Sequence, residues 1–343
     1  MKALVLKAHK QFVIEDVPVP EFGPDEVLIA VKACGICGSD VHGMDGSTGR
    51  RRPPVIMGHE VAGLIAKTGS AVTAWKPGDR VTFDSTIYCG QCDFCHVGRI
   101  NLCSNRRVLG VSCDEYRQHG AFAEYVVVPE RIMFKLPETV SFEHAAMIEA
   151  LSIAMHAAER AKPAVGDTIA VVGAGMIGLL VIQCLKAAGA GTVVAVDLDA
   201  DRLAVAKELG ADYSVKSDAE DPVDFLKRIT DGRGADGAVE VVGIGPAFDT
   251  ALKCVRKGGK LTLVGNLTAS VPFGMQAAVT RELTILGSCA SSGEIPVCLD
   301  YIGRKKVNVE RMISAACKLE EAPAWFKRLH EREKGLMKVI VKP

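Results

Sequence analysis

Apolar positions along this chain follow two different rhythms, and the change comes near Ser152. Before it, short runs rich in Val, Ile and Ala sit between turn-forming stretches: Ala3–Lys7, Glu26–Ala33, Val61–Thr68, Arg80–Phe83 and Ala123–Val128. Runs this short, parted by signals such as Lys76-Pro77-Gly78-Asp79, predict β-strands joined by tight turns. After it, strand-like runs alternate with segments of helical period. These are Thr168–Val172, Ile177–Ala188, Thr192–Asp197, Asp201–Leu209, Ala238–Val242, Ala247–Val255 and Lys260–Val264. Strands that are apolar at successive positions must be covered on both faces, so this alternation predicts a parallel sheet with helices packed on it. The tail is mixed again and ends on Met337–Val341, a further strand. The pattern predicts a β-rich domain over 1–152, rejoined by 288–343, and an α/β domain over 153–287, with no repeat and no low-complexity linker.

Composition narrows what such a chain can do. Its 343 residues suit two domains, and 48% apolar against 24% charged residues can fill two cores without disorder. Acidic and basic residues balance at 41 each, whereas a nucleic-acid binder usually carries a basic excess. Lys7, His9 and Lys10 cut short the first apolar stretch, so no secretory signal is read there and a cytoplasmic location is expected. In that compartment 12 cysteines are reduced and need an explanation other than disulfides. Ile169 to Leu185 carries no charge and approaches the length of a membrane span, but its three glycines and the following Lys186 fit a buried strand, turn and helix better.

Four of the cysteines, Cys89, Cys92, Cys95 and Cys103, fall within fifteen residues in the spacing C-x2-C-x2-C-x7-C. Four thiolates on one loop can close a tetrahedral shell around a soft cation, and Gly90 and Gly98 let the backbone wrap it. Structural zinc is the leading occupant, and an iron–sulfur cluster is the other metal reading at this spacing. The segment also holds Gln91, Asp93, His96 and Arg99, too polar for a core run. His96 is read as a surface residue because four thiolates need no fifth ligand.

A second constellation is spread out. Cys37 opens Cys37-Gly38-Ser39-Asp40-Val41-His42, Gly58-His59-Glu60-Val61-Ala62-Gly63 follows, and Glu149 comes much later in Ile148-Glu149-Ala150. One thiolate, one imidazole and one carboxylate with an open position suit a catalytic zinc. Spacing alone leaves this weak, since a lone histidine is more often structural and Cys34-x2-Cys37 can be read as a redox pair.

Gly173-Ala174-Gly175-Met176-Ile177-Gly178 follows an apolar strand and opens an apolar helix, and Asp197 ends the next strand nineteen residues past Gly178. That context makes G-x-G-x-x-G a dinucleotide site: a tight turn, close approach of a pyrophosphate, and close packing of helix on strand. Asp197 favours NAD over NADP, because a carboxylate repels a 2′-phosphate. Arg202, five residues on, could receive that phosphate and complicates the reading.

Taken together, Cys37–His42, Gly58-His59-Glu60-x2-Gly63, the four-cysteine lobe and the Gly-rich turn resemble the zinc-containing medium-chain alcohol and polyol dehydrogenases over the whole chain. The resemblance implies a GroES-like catalytic domain and a doubly wound Rossmann domain. It implies Cys37, His59 and Glu149 as ligands of a catalytic zinc, with Glu60 either a direct ligand or a neighbouring carboxylate. Glu149, where simple alcohol dehydrogenases have Cys, is similar to the sorbitol and other polyol dehydrogenases. Ser39 and His42 would relay a proton, although as turn residues they could serve the backbone alone. Val242, Val264, Gly265 and Asn266 would line the nicotinamide half of the groove. The implied reaction is hydride transfer from a small secondary alcohol to NAD, with no nucleic acid or membrane involved.

Substrate identity is where the resemblance thins. Sorbitol dehydrogenases carry Phe-Arg-Tyr after the last strand of the cofactor domain, and here Leu283–Gly287 is followed by Ser288-Cys289-Ala290-Ser291-Ser292. Arg50-Arg51-Arg52 before Pro53-Pro54 reads first as a solvated loop and second as a grip on an anionic substrate, as a polyol phosphate or L-threonine would supply. A third reading, a relative without zinc chemistry, predicts missing ligands, and Cys37, His59 and Glu149 are present. The apolar run Leu283–Gly287 at a sheet edge is a liability unless paired, so a homo-oligomer, dimer or tetramer, is expected.

Overall fold

The structure, a computed structural model, describes all of residues 1–343. It divides into two compact units: Met1–Glu149 with Ser292–Lys305 and Val309–Pro343, and Ala150–Ser291 with Lys306–Asn308.

The first unit is β-rich. Its largest sheet runs Met133–Lys135, Arg80–Phe83, Glu60–Thr68, Glu26–Gly35, Lys338–Lys342 and Ile313–Lys318, with Tyr125–Pro129 also pairing along Glu26–Gly35. A three-stranded sheet orders Gln11–Asp16, Lys2–Ala8 and Val55–Ile56. The strands expected from the apolar runs are present, with ends moved by a residue or two. Gln11–Asp16 is not among the expected strands: its residues are half-buried or exposed throughout, and its apolar run is only Phe12-Val13-Ile14. The core is continuous across both sheets and includes a cluster in which the Phe326 ring stands 4.6 Å from that of Phe12 and 5.6 Å from that of Phe122.

Two pairings in this unit position the site. Gly35 stands opposite both Glu60 and Ile340 in register. A Cβ at Gly35 would collide with the Glu60 carboxylate, so the glycine makes room for a charged side chain inside the sheet layer. Lys338 begins the C-terminal strand two residues before Ile340, and it is fully buried.

The second unit is a six-stranded parallel sheet in the order Tyr213–Lys216, Thr192–Asp197, Thr168–Val172, Ala235–Glu240, Val255–Leu263 and Thr284–Gly287. That is the doubly wound order with its switch point beside Thr168–Val172, whose five residues are all buried. Met176–Ala187 and Ala200–Glu208 are helices, as the helical period predicts. The expected strand Ala238–Val242 lies earlier, at Ala235–Glu240, which leaves Val241 and Val242 in the following turn. The helix Pro222–Ile229 is not among the expected elements, although Asp221 before Pro222 is a start signal: its carboxylate accepts from Val223 N–H at 2.7 Å. The uncharged stretch Ile169 to Leu185 is a strand, a turn and a helix, and no helix in the chain is long and apolar enough to cross a membrane.

Candidate active site and dinucleotide loop

The cysteine lobe is built almost wholly from its own backbone. A four-residue helix, Asp93–His96, and a 3-10 turn, Ile100–Leu102, fold Cys89, Cys92, Cys95 and Cys103 together until their sulfurs lie within 4.8 Å of one another. Cys92 and Cys95 sulfurs are 3.5 Å apart, and those of Cys89 and Cys95 are 4.0 Å apart. A tetrahedral shell with Zn–S bonds of ~2.3 Å needs sulfurs ~3.8 Å apart, so the donor set fits a zinc ion. Backbone N–H groups of Ser104 and Cys95 hold the Cys92 thiol down to about 6, close to the thiolate a metal requires. Cys89 N–H donates to Cys103 Sγ at 3.2 Å. His96 is exposed and stands outside the set, as expected.

The second cluster gathers Cys37, His59 and Glu60, whose ligand atoms also lie within 4.8 Å of one another. Cys37 caps a short helix, Gly38–Gly43, and its N–H donates to Asp40 Oδ2 at 3.3 Å. Asp40 is fully buried, and its Oδ1 stands 3.5 Å from His59 Nδ1, an ion-pair contact without hydrogen-bond alignment. Burial opposes charge on Asp40, but His59 and Arg51 together hold its carboxyl well below the usual range. Burial likewise works against His59 as a cation, yet Asp40 and the Cys37 thiol lift it well above an ordinary histidine. A thiolate, an imidazole backed by a carboxylate, and a carboxylate form a donor set that can hold zinc.

Glu60 is not alone. Both its oxygens accept from Lys338 Nζ, with Oε1 at 2.7 Å, and Nζ also donates to Ile36 O at 3.0 Å. Both side chains are fully buried. Although burial disfavours a charged lysine, the Glu60 carboxylate raises Lys338 above its ordinary value. Sequence reasoning missed Lys338, since nothing in the tail pattern connects it with a residue 278 positions earlier.

Glu149 lies in the first turn of the helix Ile148–Ala161 and falls outside the 4.8 Å cluster. Its Oε1 accepts from Ser85 Oγ at 3.1 Å. Burial, with the Glu60 and Asp84 carboxylates adding to it, pushes Glu149 up to about 7, while His59 pulls the other way.

Ser39 is exposed one turn before His42, so the two share a helix face at i, i+3. Ser39 Oγ accepts from Arg51 Nη2 at 3.3 Å. Burial and the charge of Arg332 hold His42 below its ordinary value. The three arginines that looked like one cationic loop are separated by the fold. Arg51 is buried against Asp40, Arg52 pairs with Asp114, and Arg50 is exposed. A buried carboxylate at Asp40 demands a counter-charge, which the sequence pattern could not reveal.

In the second unit, Gly173 adopts φ 105°, and a Cβ there would meet Val242 Cγ2 at 2.6 Å. A Cβ at Gly178 would overlap the Gly173 carbonyl oxygen. Around Gly175 nothing in the protein lies within 4 Å of that position, so packing alone does not require glycine there. Ile177 follows in the first turn of the helix Met176–Ala187, whose N-terminal N–H groups have no side-chain cap. This is a cradle for a phosphate-bearing cofactor. Asp197 Oδ2 accepts from Ala174 N–H at 2.6 Å and Oδ1 from Asp199 N–H at 2.9 Å. Arg202 faces Asp199 at 3.8 Å. Glu240, buried and unnoticed in the sequence, accepts through Oε1 from Val242 and Gly243 N–H, each at 2.8 Å. Its carbonyl accepts from Val264 N–H at 2.8 Å and Gly265 N–H at 3.1 Å. One residue therefore shapes both turns that carry Val242 and Val264–Asn266.

Residues 23–138 match the alcohol dehydrogenase GroES-like domain, and residues 177–303 match the zinc-binding dehydrogenase family. The chain is 36% identical to sorbitol dehydrogenase of Bacillus subtilis, over 100% of this chain and 97% of that protein. It is 35% identical to D-arabitol-phosphate dehydrogenase of Enterococcus avium, over 94% and 92%. Among solved structures, a zinc-binding dehydrogenase of Sinorhizobium meliloti bound to NADP superposes with a TM-score of 0.90 at 34% identity, over 100% of this chain and 99% of that one. This chain belongs to the zinc-containing medium-chain dehydrogenases and is a zinc-dependent, NAD(P)-linked member of their polyol dehydrogenase family.

Proposed function

We propose that the protein oxidises a secondary alcohol of an uncharged polyol to the ketone, with NAD as hydride acceptor. The observation that carries this reading is the grouping of half-buried Cys37 with buried His59 and Glu60 in a chain that also has the Gly173–Gly178 cradle. Cys37, His59 and Glu149 would hold the catalytic zinc, with Glu60 beside them balanced by Lys338. Cys89, Cys92, Cys95 and Cys103 would hold the structural one. Bound zinc would supply a Lewis acid to the substrate oxygen, and bound NAD a place for the hydride. Ser39 would accept the substrate proton, and His42, kept neutral by burial and Arg332, would pass it outward.

NAD rather than NADP follows from Asp197, whose carboxylate is fixed by two backbone N–H groups and would repel a 2′-phosphate. Arg202 faces Asp199, so its charge is already answered. The Sinorhizobium relative with NADP makes this worth a direct comparison of both cofactors. An uncharged substrate is favoured over a polyol phosphate or an amino acid because Arg51 and Arg52 are matched to Asp40 and Asp114. Following NADH absorbance across polyols, their phosphates, L-threonine and simple secondary alcohols tests all of this. Turnover confined to phosphorylated substrates would overturn the substrate class, and turnover only with NADP would overturn the cofactor.

A homo-oligomer accords with this reading. Thr284–Gly287 is an edge strand, and Leu267, Phe273, Met275 and Val279 near it in sequence are exposed. A monomer by light scattering would refute it.

A further inference from the structure

A buried guanidinium is tolerated only when its N–H groups find acceptors. Arg51, outside any helix or strand, is 4% exposed, and the chain around it is built to hold it there. Arg51 forms an isolated bridge with Ser112, Arg52 N–H donates to Ser112 O at 2.9 Å, and Ser112 N–H donates to Arg50 O at 3.2 Å. The Arg51 side chain also fills the space a Cβ at Gly43 would need. From this position Nε and Nη2 donate to Asp40 Oδ1 at 3.2 and 3.0 Å. Nη2 also donates to Ser39 Oγ at 3.3 Å, and Nη1 to Arg50 O at 3.1 Å. Asp40 Oδ1 is the oxygen that faces His59 Nδ1, while its Oδ2 takes the Cys37 N–H.

We infer that Arg51 is a positioning residue of the metal centre, fixing through Asp40 the orientation of His59 and the Cys37 turn, and setting the direction of the Ser39 hydroxyl. Because Arg51 donates to Ser39 Oγ, the hydroxyl hydrogen points away from the guanidinium. The planar fork is what serves Asp40, Ser39 and a backbone carbonyl together, and a lysine ammonium cannot reproduce it. The inference rests on Cys37 and His59 as metal ligands.

The test compares the full-length native chain with Arg51→Met, Arg51→Lys and Cys37→Ser, each loaded with Co²⁺ in place of zinc. The visible ligand-field spectrum, metal loss to a chelator, NADH binding and kcat are read together. Arg51→Met is expected to shift the spectrum and lose site metal about 10–100-fold more readily, the scale typical of groups that orient ligands. Its kcat falls while NADH affinity holds. Arg51→Lys is expected to show the same spectral shift, and it decides the matter if Arg51→Met does not fold. A native spectrum and native metal retention in both Arg51 variants would overturn the inference. If Cys37→Ser also leaves both readouts untouched, the metal assignment itself fails, which is a different result.

Discussion

The two cysteine-containing centres solve the same problem, collecting charged donors in one place, by opposite means. The lobe uses fifteen consecutive residues, mostly exposed, and its sulfurs are brought together by one turn of helix and one 3-10 turn. The other centre draws on a turn after the strand Glu26–Gly35, the start of Glu60–Thr68 and, through Lys338, the C-terminal strand. It is buried, so its charges need answering: Asp40 by Arg51 and His59, and Glu60 by Lys338. A local, exposed centre can tolerate loss of its metal as a local event. A buried, dispersed one binds its chemistry to the stability of the unit that holds it.

The sharpest way to break this comparison is Lys338→Met. It leaves the Glu60 carboxylate buried without its ammonium partner, and removing one partner of a buried pair costs about 3–5 kcal/mol. The urea midpoint of the zinc-loaded protein should fall accordingly. Glu60→Gln with Lys338→Met should recover much of the loss, because no lone charge remains. An unchanged midpoint for Lys338→Met would mean that the pair does not support the unit.

Cys92→Ser should act in the contrasting way. With one of four thiolates gone, the lobe should release about one zinc per chain, the content of a closed four-ligand site. The urea midpoint should move less than with Lys338→Met, because few core residues depend on the lobe. Metal analysis beside denaturation checks both. Loss of all bound zinc, or collapse of the whole chain, would show that the lobe is not local after all.

The same contrast decides what could be read in advance. The lobe and the Gly173–Gly178 turn are legible because their chemistry depends on residues close in sequence, where spacing is geometry. Strands such as Lys2–Ala8 and Thr168–Val172 are legible because burial writes an apolar run. Tyr213–Lys216 is not, since only one of its four residues is buried at the edge of the sheet. Lys338, Arg51 and Glu240 are illegible for a common reason. Each is a polar residue whose role depends on a partner supplied by the fold: Glu60, Asp40 or the backbone of a turn. Arg51 was masked further by two arginine neighbours that face solvent.

The smallest effect should come from the outer supports of the dispersed centre. Ile56 N–H, three residues before His59, donates to His119 Nδ1 at 3.2 Å, which requires that nitrogen to be unprotonated. Burial, with Arg117 beside it, holds His119 below its ordinary value. A histidine whose folded value is depressed binds protons more readily when unfolded, so stability rises with pH through the interval between the two values. The contribution is complete above about 6.5 and fades as pH falls below it. Solvent reaches the ring and screens the charge, so the change should be only a few tenths of a kcal/mol. His119→Asn offers an amide oxygen to Ile56 without titrating, and should flatten this part of the stability profile between about pH 7 and pH 5. An identical slope in the native protein and the His119→Asn variant would assign that pH dependence to some other group and leave the His59 segment supported by its strand pairing alone.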